Sequence, residues 1–328
     1  MRVLVFTAMY PTQEKPARGT FVKEQVDSLR DAGVEIDLCA FDGDGSARNY
    51  LKAGLTLRRI LGKKPYDLVH AHYGLTGAIA ILQKRCPVVI TYHGSDLLGV
   101  VGTQKRYTIG GKVRTLISRG AALGAAQCIV VADILKAKLW PKSSVTIPMG
   151  VDLSLFKPIP TCEARKRLGN FNHKQIVLFA AHPKNQTKRF DIAQEAVSLL
   201  QKDNLDVELM PIYDIPHHEV PLYMNACDVL VLTSMHEASP CVIKEAMACN
   251  LPIVSVDVGD VAERIGGVQG CYLSERAPYD VADKLRQALG NGRFSDSRKK
   301  IAELSLQTIA TRVMAVYDKV QQVQAMQG

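Results

Sequence analysis

The sequence lacks the paired cysteines of a zinc or redox site. Its eight cysteines stand at 39, 86, 128, 162, 227, 241, 249 and 271, and no Cys-x-x-Cys pair occurs. Scattered thiols, several within apolar stretches, fit a reduced, cytosolic compartment. No apolar run approaches the roughly 20 residues of a membrane span. The N-terminus, MRVLVFTAMYP, lacks the basic-then-apolar form of a signal peptide and reads as a first strand. Aromatics make up only 6% of the chain, and neither a base-stacking set nor a nucleic-acid motif is visible, so nucleic acid is not an expected partner.

What is present is a soluble-type chain of 328 residues with 47% hydrophobic content, enough for about two domains at roughly 150 residues each. Charge is uneven. Residues 1–157 hold 22 Lys and Arg against 12 Asp and Glu, an excess of +10, whereas residues 158–328 hold 19 against 20. A basic first half points to an anionic surface, and with nucleic acid set aside that surface is a membrane. An ordinary solvated surface stays open as the alternative.

Apolar runs and helical periodicities alternate along the chain. Arg2–Ala8 reads as a buried strand, followed by a long loop with Pro11, Pro16 and Gly19. A helix is expected over Phe21–Ala32, a strand over Glu35–Phe41 and a helix over Ala47–Leu61. That last helix carries Arg58 and Arg59 and is followed by Lys63 and Lys64, either as a membrane-facing basic helix or as a core-packing one. Gly43–Arg48 imitates a dinucleotide fingerprint but follows the second strand and lacks the third glycine. Strands are expected at Asp67–Ala71 and Pro87–Tyr92 with a helix over Gly74–Arg85 between them. His93, at the carboxyl end of a strand, stands where open α/β sheets contact ligands. A basic segment follows, with Lys105, Arg106, Lys112, Arg114 and Arg119. Asp133 is the expected N-cap of a short helix over Ile134–Leu139. Met149–Pro160 reads as a linker.

A second alternation begins with a strand at Ile176–His182. The loop that follows holds Lys184, Lys188 and Arg189. Two β/α runs joined by a linker predict an α/β chain of two Rossmann-like domains, 1–155 and 156–328. The final helix, with Ile309, Val313, Val316 and Val320 on one face, must bury that face, and packing back on the first domain would do so.

Leu232–Asp260 reads strand, turn, helix, strand, turn. Ser239 is the expected N-cap and Pro240 the first helical residue, so Cys241 and Val242 present amide donors at the helix start. Those donors and the helix dipole suit a diphosphate or a sugar hydroxyl. Glu237 precedes the helix, and Glu245 within it can accept from a ribose cis-diol. Lys188 can offset the charge of a diphosphate leaving group. Dipole compensation is the alternative for two glutamates near a helix start. A glycoside-hydrolase carboxylate pair fits the Rossmann-like context and Lys188 poorly.

At these residues the chain resembles the retaining glycosyltransferases of the GT-B fold, the group often called family 4, over nearly its whole length. Glu237–Glu245 (EASPCVIKE) matches the family's Glu-x7-Glu motif, and IPMGVDLSLF at 147–156 matches its linker. Gly19 matches the N-terminal glycine loop, and His93 the histidine after the fourth strand. The opening PTQEKPARGTFVKEQVDSL is similar to members that build teichuronic acid and other bacterial surface glycans.

The resemblance implies two Rossmann-like domains facing across a cleft. It also implies transfer of a hexose from a UDP- or GDP-sugar to a lipid-linked or glycan acceptor, without a cofactor or metal. Lys188 would hold the donor diphosphate, Glu245 the ribose, and Glu237 the transferred sugar, with the 239–242 backbone beside it. Gly19 would support the phosphate and His93 would contact the donor sugar. The enzyme would be cytoplasmic, on the inner membrane face, with Arg58, Arg59, Lys63, Lys64, Lys112 and Arg114 toward acceptor or membrane. The chain departs from the pattern in three places. Ala181-His182 stand for the usual Gly-Arg, Arg189 for the usual Gly after the lysine, and Met149 for the linker Asn; His182 and Arg189 are expected among the donor-binding residues, with Lys184 or Arg189 as the substitute phosphate contact. A non-catalytic nucleotide-sugar-binding subunit and a sugar-nucleotide epimerase are the alternatives.

Overall fold

The computed structural model describes residues 1–43, 47–99, 108–169, 174–293 and 295–326. Residues 44–46 of the glycine-rich hexapeptide, and Lys105, Arg106 and Tyr107 of the basic segment, lie outside them. The chain divides into two compact units, Met1–Gly150 with Leu306–Gly328, and Val151–Ser305. The sequence boundary at 155/156 lies five residues beyond this division.

The first unit opens with β1 (Arg2–Thr7), α1 (Thr20–Asp31), β2 (Glu35–Ala40) and α2 (Ala47–Lys63). β3 (Leu68–His72), α3 (Gly74–Ala80), β4 (Val88–Tyr92), α4 (Ser95–Leu98) and α5 (Ile109–Gly124) follow. It continues through β5 (Gln127–Val130), α6 (Lys136–Leu139) and β6 (Ser144–Thr146). The strands pair in parallel in the order β2-β1-β3-β4-β5-β6. β1, β3 and β4 are almost wholly buried, as continuous apolar strands covered on both faces must be. The order reverses between β1 and β3, the place where such sheets open a crevice beyond their carboxyl ends. Thr7, His72 and Thr91 stand side by side there by register.

The second unit runs α7 (Thr161–Leu168), β7 (Gln175–Phe179), α8 (Phe190–Lys202), β8 (Val207–Pro211), α9 (Val220–Ala226) and β9 (Val229–Leu232). It continues with α10 (Cys241–Ala248), β10 (Ile253–Val256), α11 (Val261–Ile265), β11 (Cys271–Ser274), α12 (Pro278–Gly290) and α13 (Ser297–Ile301). Its parallel sheet has the order β11-β10-β9-β7-β8, and its switch point lies between β7 and β9. Val177, Val229 and Val254 of the sheet, Val197 and Leu200 of α8, and Leu285 of α12 form one buried cluster. The last helix, α14 (Leu306–Ala325), belongs to the first unit and packs on α1. It buries Ile309, Val313, Val316 and Val320, the face expected from the sequence.

The structure corrects several local expectations. α3 ends at Ala80 rather than Arg85. The Gln83 amide accepts from Arg85 N and Cys86 N and donates to Cys86 O, closing a turn that stops the helix. Asp133 does not cap its helix. Its carboxylate accepts from the Thr146 hydroxyl and pairs with Lys136 at 2.8 Å. α5 and α7, absent from the sequence reading, are both formed.

Candidate functional site

In the second unit, the groups singled out from sequence gather at the carboxyl ends of β7 and β9. Asn185 caps a short turn, Gln186–Lys188, by accepting from Thr187 N at 3.1 Å. Thr233, just past β9, donates its hydroxyl to the carbonyls of Lys188 and Arg189 at 3.0 and 2.9 Å. Met235 N donates to Thr187 O at 2.7 Å. These three bonds fix the lysine loop to the loop before α10. Lys188 Nζ reaches Glu237 Oε1 at 2.6 Å, with both side chains mostly buried. The sequence placed these residues near a common ligand, and the structure brings them into direct contact.

Glu245 lies on the second turn of α10. Its Oε1 is 3.3 Å from His217 Nε2, and the His217 ring packs 5.3 Å from Phe156. His217 was not expected from sequence: it lies in a one-turn segment, His217–Glu219, with no flanking periodicity. Ser239 is not the N-cap of α10. Pro240 occupies that position, and no side chain caps the helix. The Ser239 hydroxyl donates to Asp260 Oδ2 at 2.8 Å and lies 3.3 Å from Lys244 Nζ, which is 1% exposed. Arg264 Nε also donates to Asp260, at 3.1 Å. Ser239 therefore ties the loop to the turn after β10 instead of starting the helix. Cys241 and Val242 begin the eight-residue α10, at the positive end of its dipole.

Gly259 completes that turn. Its φ is +62°, and a Cβ there would stand 2.2 Å from Ala238 O and 3.0 Å from Glu237 O. Asp260 N donates to the same Ala238 carbonyl at 3.0 Å. Backbone thus presses directly on the segment that carries Glu237, an approach only glycine permits. The Val-Gly-Asp turn after a strand was the available signal.

Two further candidates for the donor phosphate, Arg189 and His182, are engaged elsewhere. Arg189 sits at φ +53°, ψ +52°, the left-handed region, which explains why a glycine would suit this position. Its guanidinium makes a forked contact with Asp191 at 2.8–3.1 Å. His182 accepts from Lys184 N on Nδ1 at 3.1 Å, and its ring lies 4.3 Å from that of Tyr213. Lys184 is exposed.

In the first unit, Gly19 opens α1 at φ +68°. A Cβ there would lie 2.5 Å from Met9 C and 2.8 Å from Tyr10 N, so the loop after β1 and the start of α1 touch through backbone. His93 follows β4. Its Nε2 is 3.0 Å from Nδ1 of His72, and its ring lies between Phe21 and Tyr73 at 5.0 and 4.6 Å. The buried Asp96 carboxylate accepts from Gly94 N, Gly74 N and His93 N at 2.9, 3.2 and 3.3 Å. Burial nevertheless pushes its pKa up to about 6. The His70 ring is held at both nitrogens, by Tyr317 Oη at 2.6 Å and Thr91 Oγ1 at 2.7 Å, and burial lowers its pKa to about 3. His72, Asp96 and His70 were not singled out from sequence.

Arg58, Arg59 and Lys63 are exposed on α2, while Lys64 is paired with Asp37. Lys112 and Arg114 are exposed on α5, beside an apolar stripe discussed below. Burial raises the thiols of Cys39, Cys86, Cys128 and Cys271 to about 11, so none of these is a nucleophile at neutral pH. Among the described residues, no helix is long and apolar enough to cross a membrane.

Residues 2–155 match the family described as Glycosyltransferase Family 4, and residues 214–291 match Glycosyl transferases group 1. A Bacillus subtilis protein named as the teichuronic acid biosynthesis glycosyltransferase TuaC is 25% identical, over 87% of this chain and 88% of its own. The D-inositol 3-phosphate glycosyltransferase of Frankia alni is 26% identical, over 88% and 81%. Among solved structures, sucrose-phosphate synthase of Thermosynechococcus elongatus superposes with a TM-score of 0.81 at 19% identity, over 98% of this chain and 99% of that one. Anabaena HepE in complex with UDP superposes with a TM-score of 0.71 at 16% identity, over 97% and 100%.

Proposed function

Since the chain is a glycosyltransferase of the GT-B fold, with a family 4 domain followed by a group 1 domain, we propose the following reaction. It moves a hexose from a UDP- or GDP-sugar to a lipid-linked or glycan acceptor in cell-surface polysaccharide synthesis, with retention at the anomeric carbon. The observation that carries this reading is the Lys188–Glu237 contact at 2.6 Å, at the switch point of the second sheet and at the foot of α10. One cation, one sugar-binding carboxylate and a helix start converge there, and Glu245 stands two turns into the same segment.

In this reading the donor diphosphate lies at the start of α10 and takes Lys188 as its cationic partner. Lys188 then stabilises the charge that grows on the leaving oxygen. That oxygen accepts the acceptor hydroxyl's proton as the new glycosidic bond forms on the same face. Glu245, oriented by His217, accepts from the ribose diol. Glu237 accepts from hydroxyls of the transferred sugar, His93 contacts the same sugar, and Gly19 lets backbone approach the phosphate. Lys188 and the helix dipole do what a metal does in other transferases, so chelation leaves turnover unchanged. TuaC is named for teichuronic acid, and HepE structures hold UDP and UDP-glucose, which favours a uridine donor and a surface-glycan product.

The acceptor side of the proposal rests on α5. Ile109, Leu116 and Leu123 are 82, 71 and 67% exposed, with Val113 and Ile117 on the same stripe, flanked by Lys112, Arg114 and Arg119. A cavity of about 320 Å³ beside it is lined by Leu98, Lys112, Thr115, Leu116 and Arg119. An exposed apolar stripe with basic flanks suits an anionic bilayer, which supports a reading in which the enzyme works on the inner membrane face. Flotation on vesicles containing anionic lipid, weakened by salt and by Leu116→Glu, is expected. Absence of binding at low salt contradicts this part.

A second reading, a donor-binding subunit without turnover, is favoured by the engagement of Arg189 with Asp191 and of His182 with Tyr213. Incubation with UDP-, GDP-, dTDP- and ADP-sugars and bacterial lipid extract separates the two. Nucleotide release from one UDP- or GDP-sugar supports transfer. Donor binding without nucleotide release in the presence of any lipid supports the second reading.

A further inference from the structure

The histidine pair at the end of β3 and β4 has only one arrangement of protons that leaves no buried donor stranded. His72 Nδ1 and His93 Nε2 are 3.0 Å apart, so one proton lies between them. His72 is 1% exposed, and its other nitrogen, Nε2, is buried without a hydrogen-bond partner among the described residues. Burial and the neighbouring His70 and His93 keep His72 neutral, with its pKa well below the ordinary value. The His72 ring packs 4.4 Å from His70, which is itself fixed at both nitrogens.

If the shared proton belonged to His93 Nε2, His72 would have to carry its own proton on Nε2. That would be a buried N–H with no protein acceptor, which folded proteins rarely leave in place. If the shared proton belongs to His72 Nδ1, Nε2 is a bare lone pair and no N–H is stranded, the smaller of the two costs. We propose that His72 is a positioning residue that donates Nδ1–H to His93 and so fixes His93 as the tautomer protonated on Nδ1. The Nδ1 atom of His93 is then a donor and never an acceptor. On the glycosyl-transfer reading above, a sugar hydroxyl or phosphate oxygen that meets it is met as an acceptor. Asp96 fixes the geometry by holding the amides of Gly74, His93 and Gly94, immediately beyond both histidine-bearing strand ends.

The test is a long-range 1H–15N spectrum of the histidine side chains in the 15N-labelled full-length chain. His93 is identified among the eight histidines by its loss in His93→Gln. The expected result is a His93 ring with Nδ1 protonated and Nε2 bare. In His72→Phe the ring should convert in large part to the Nε2-protonated form. In His72→Asn, whose amide N–H falls near the place of Nδ1, it should return. A wild-type His93 protonated on Nε2 overturns the proposal, and so does a folded His72→Phe with the wild-type tautomer. The wild-type spectrum alone decides if His72→Phe does not fold. In transfer assays His72→Phe should lower kcat/KM for the donor at least tenfold, with His72→Asn recovering most of it. The expected tautomers with unchanged transfer in every variant leave the proton assignment standing and refute the role given to His93 in the reaction.

Discussion

Gly259→Ala tests whether the turn after β10 sets the position of Glu237. Two costs act at this residue. A φ of +62° costs an L-residue about 1–2 kcal/mol. The added Cβ would lie 2.2 Å from Ala238 O, about 1 Å inside ordinary contact, and relieving such overpacking costs about 1–3 kcal/mol. The atoms pressed upon are backbone, so no rotamer change absorbs the clash. The Glu237–Ala238 segment moves, or the turn moves and weakens the bond of Asp260 N to Ala238 O. The variant should lose about 2–5 kcal/mol in the second unit by thermal or urea unfolding. A displacement of about 1 Å in a positioning group can lower turnover roughly 100-fold, so kcat/KM for the donor should fall by at least tenfold. Gly267→Ala is the control: its φ is +72° and nothing lies within 4 Å of its Cβ position, so it should pay the conformational cost alone and keep donor kinetics. Wild-type donor kinetics and stability in Gly259→Ala would refute the claim that this turn supports the site.

Arg189 stands in left-handed backbone, and its side chain pairs with the exposed carboxylate of Asp191. Arg189→Gly should therefore keep or raise stability by up to about 1 kcal/mol, whereas the β-branched Arg189→Val should lose about 2 kcal/mol; differential scanning calorimetry checks both. Acid should weaken the first unit. His70, with a pKa of about 3 in the fold against an ordinary 6.5, contributes stability that is fully present above pH 6.5 and is lost as pH falls toward 3. By pH 5 that loss is about 2 kcal/mol. Asp96, raised to about 6 from 3.8, acts in the opposite sense. Its contribution is present below pH 3.8 and lost as pH rises through 6, so between pH 7 and 5 it returns about 1 kcal/mol. His72 adds to the loss. Urea midpoints should thus fall from pH 7 to pH 5, and fall further in Asp96→Asn, which removes the offset; a flat profile contradicts the burial of these histidines.

The alternation of strand and helix was legible because buried parallel strands are continuous apolar runs, Glu237 and Glu245 were legible because their motif is local in sequence, and Lys188 because its basic loop directly follows a strand. α5 was not legible, for a physical reason. Its buried residues are Gly111, Ser118, Ala121 and Ala122, and its large apolar residues face outward. A Cβ on Gly74 would meet Ser118 Cβ at 2.3 Å, so α3 and α5 pack through small residues. Hydrophobic periodicity therefore marks the wrong face. α7 buries only Ala164, too little to show a period. Ser239 followed by proline has the form of an N-cap, yet its hydroxyl goes to Asp260, twenty-one residues away. His217 and His72 owe their roles to partners 28 and 21 residues distant, and nothing in their own neighbourhood announces it.

The central claim is that the second unit holds a nucleoside-diphosphate sugar through Lys188 and Glu245. Calorimetric titration of the full-length chain with UDP, UDP-glucose and GDP measures it directly. The account predicts binding of one nucleotide class without added metal. It predicts a loss of at least tenfold in affinity in Lys188→Ala, where a charge-assisted contact to phosphate goes, and a similar loss in Glu245→Ala, where the ribose contact goes. Folded variants that bind as the wild type does would contradict it.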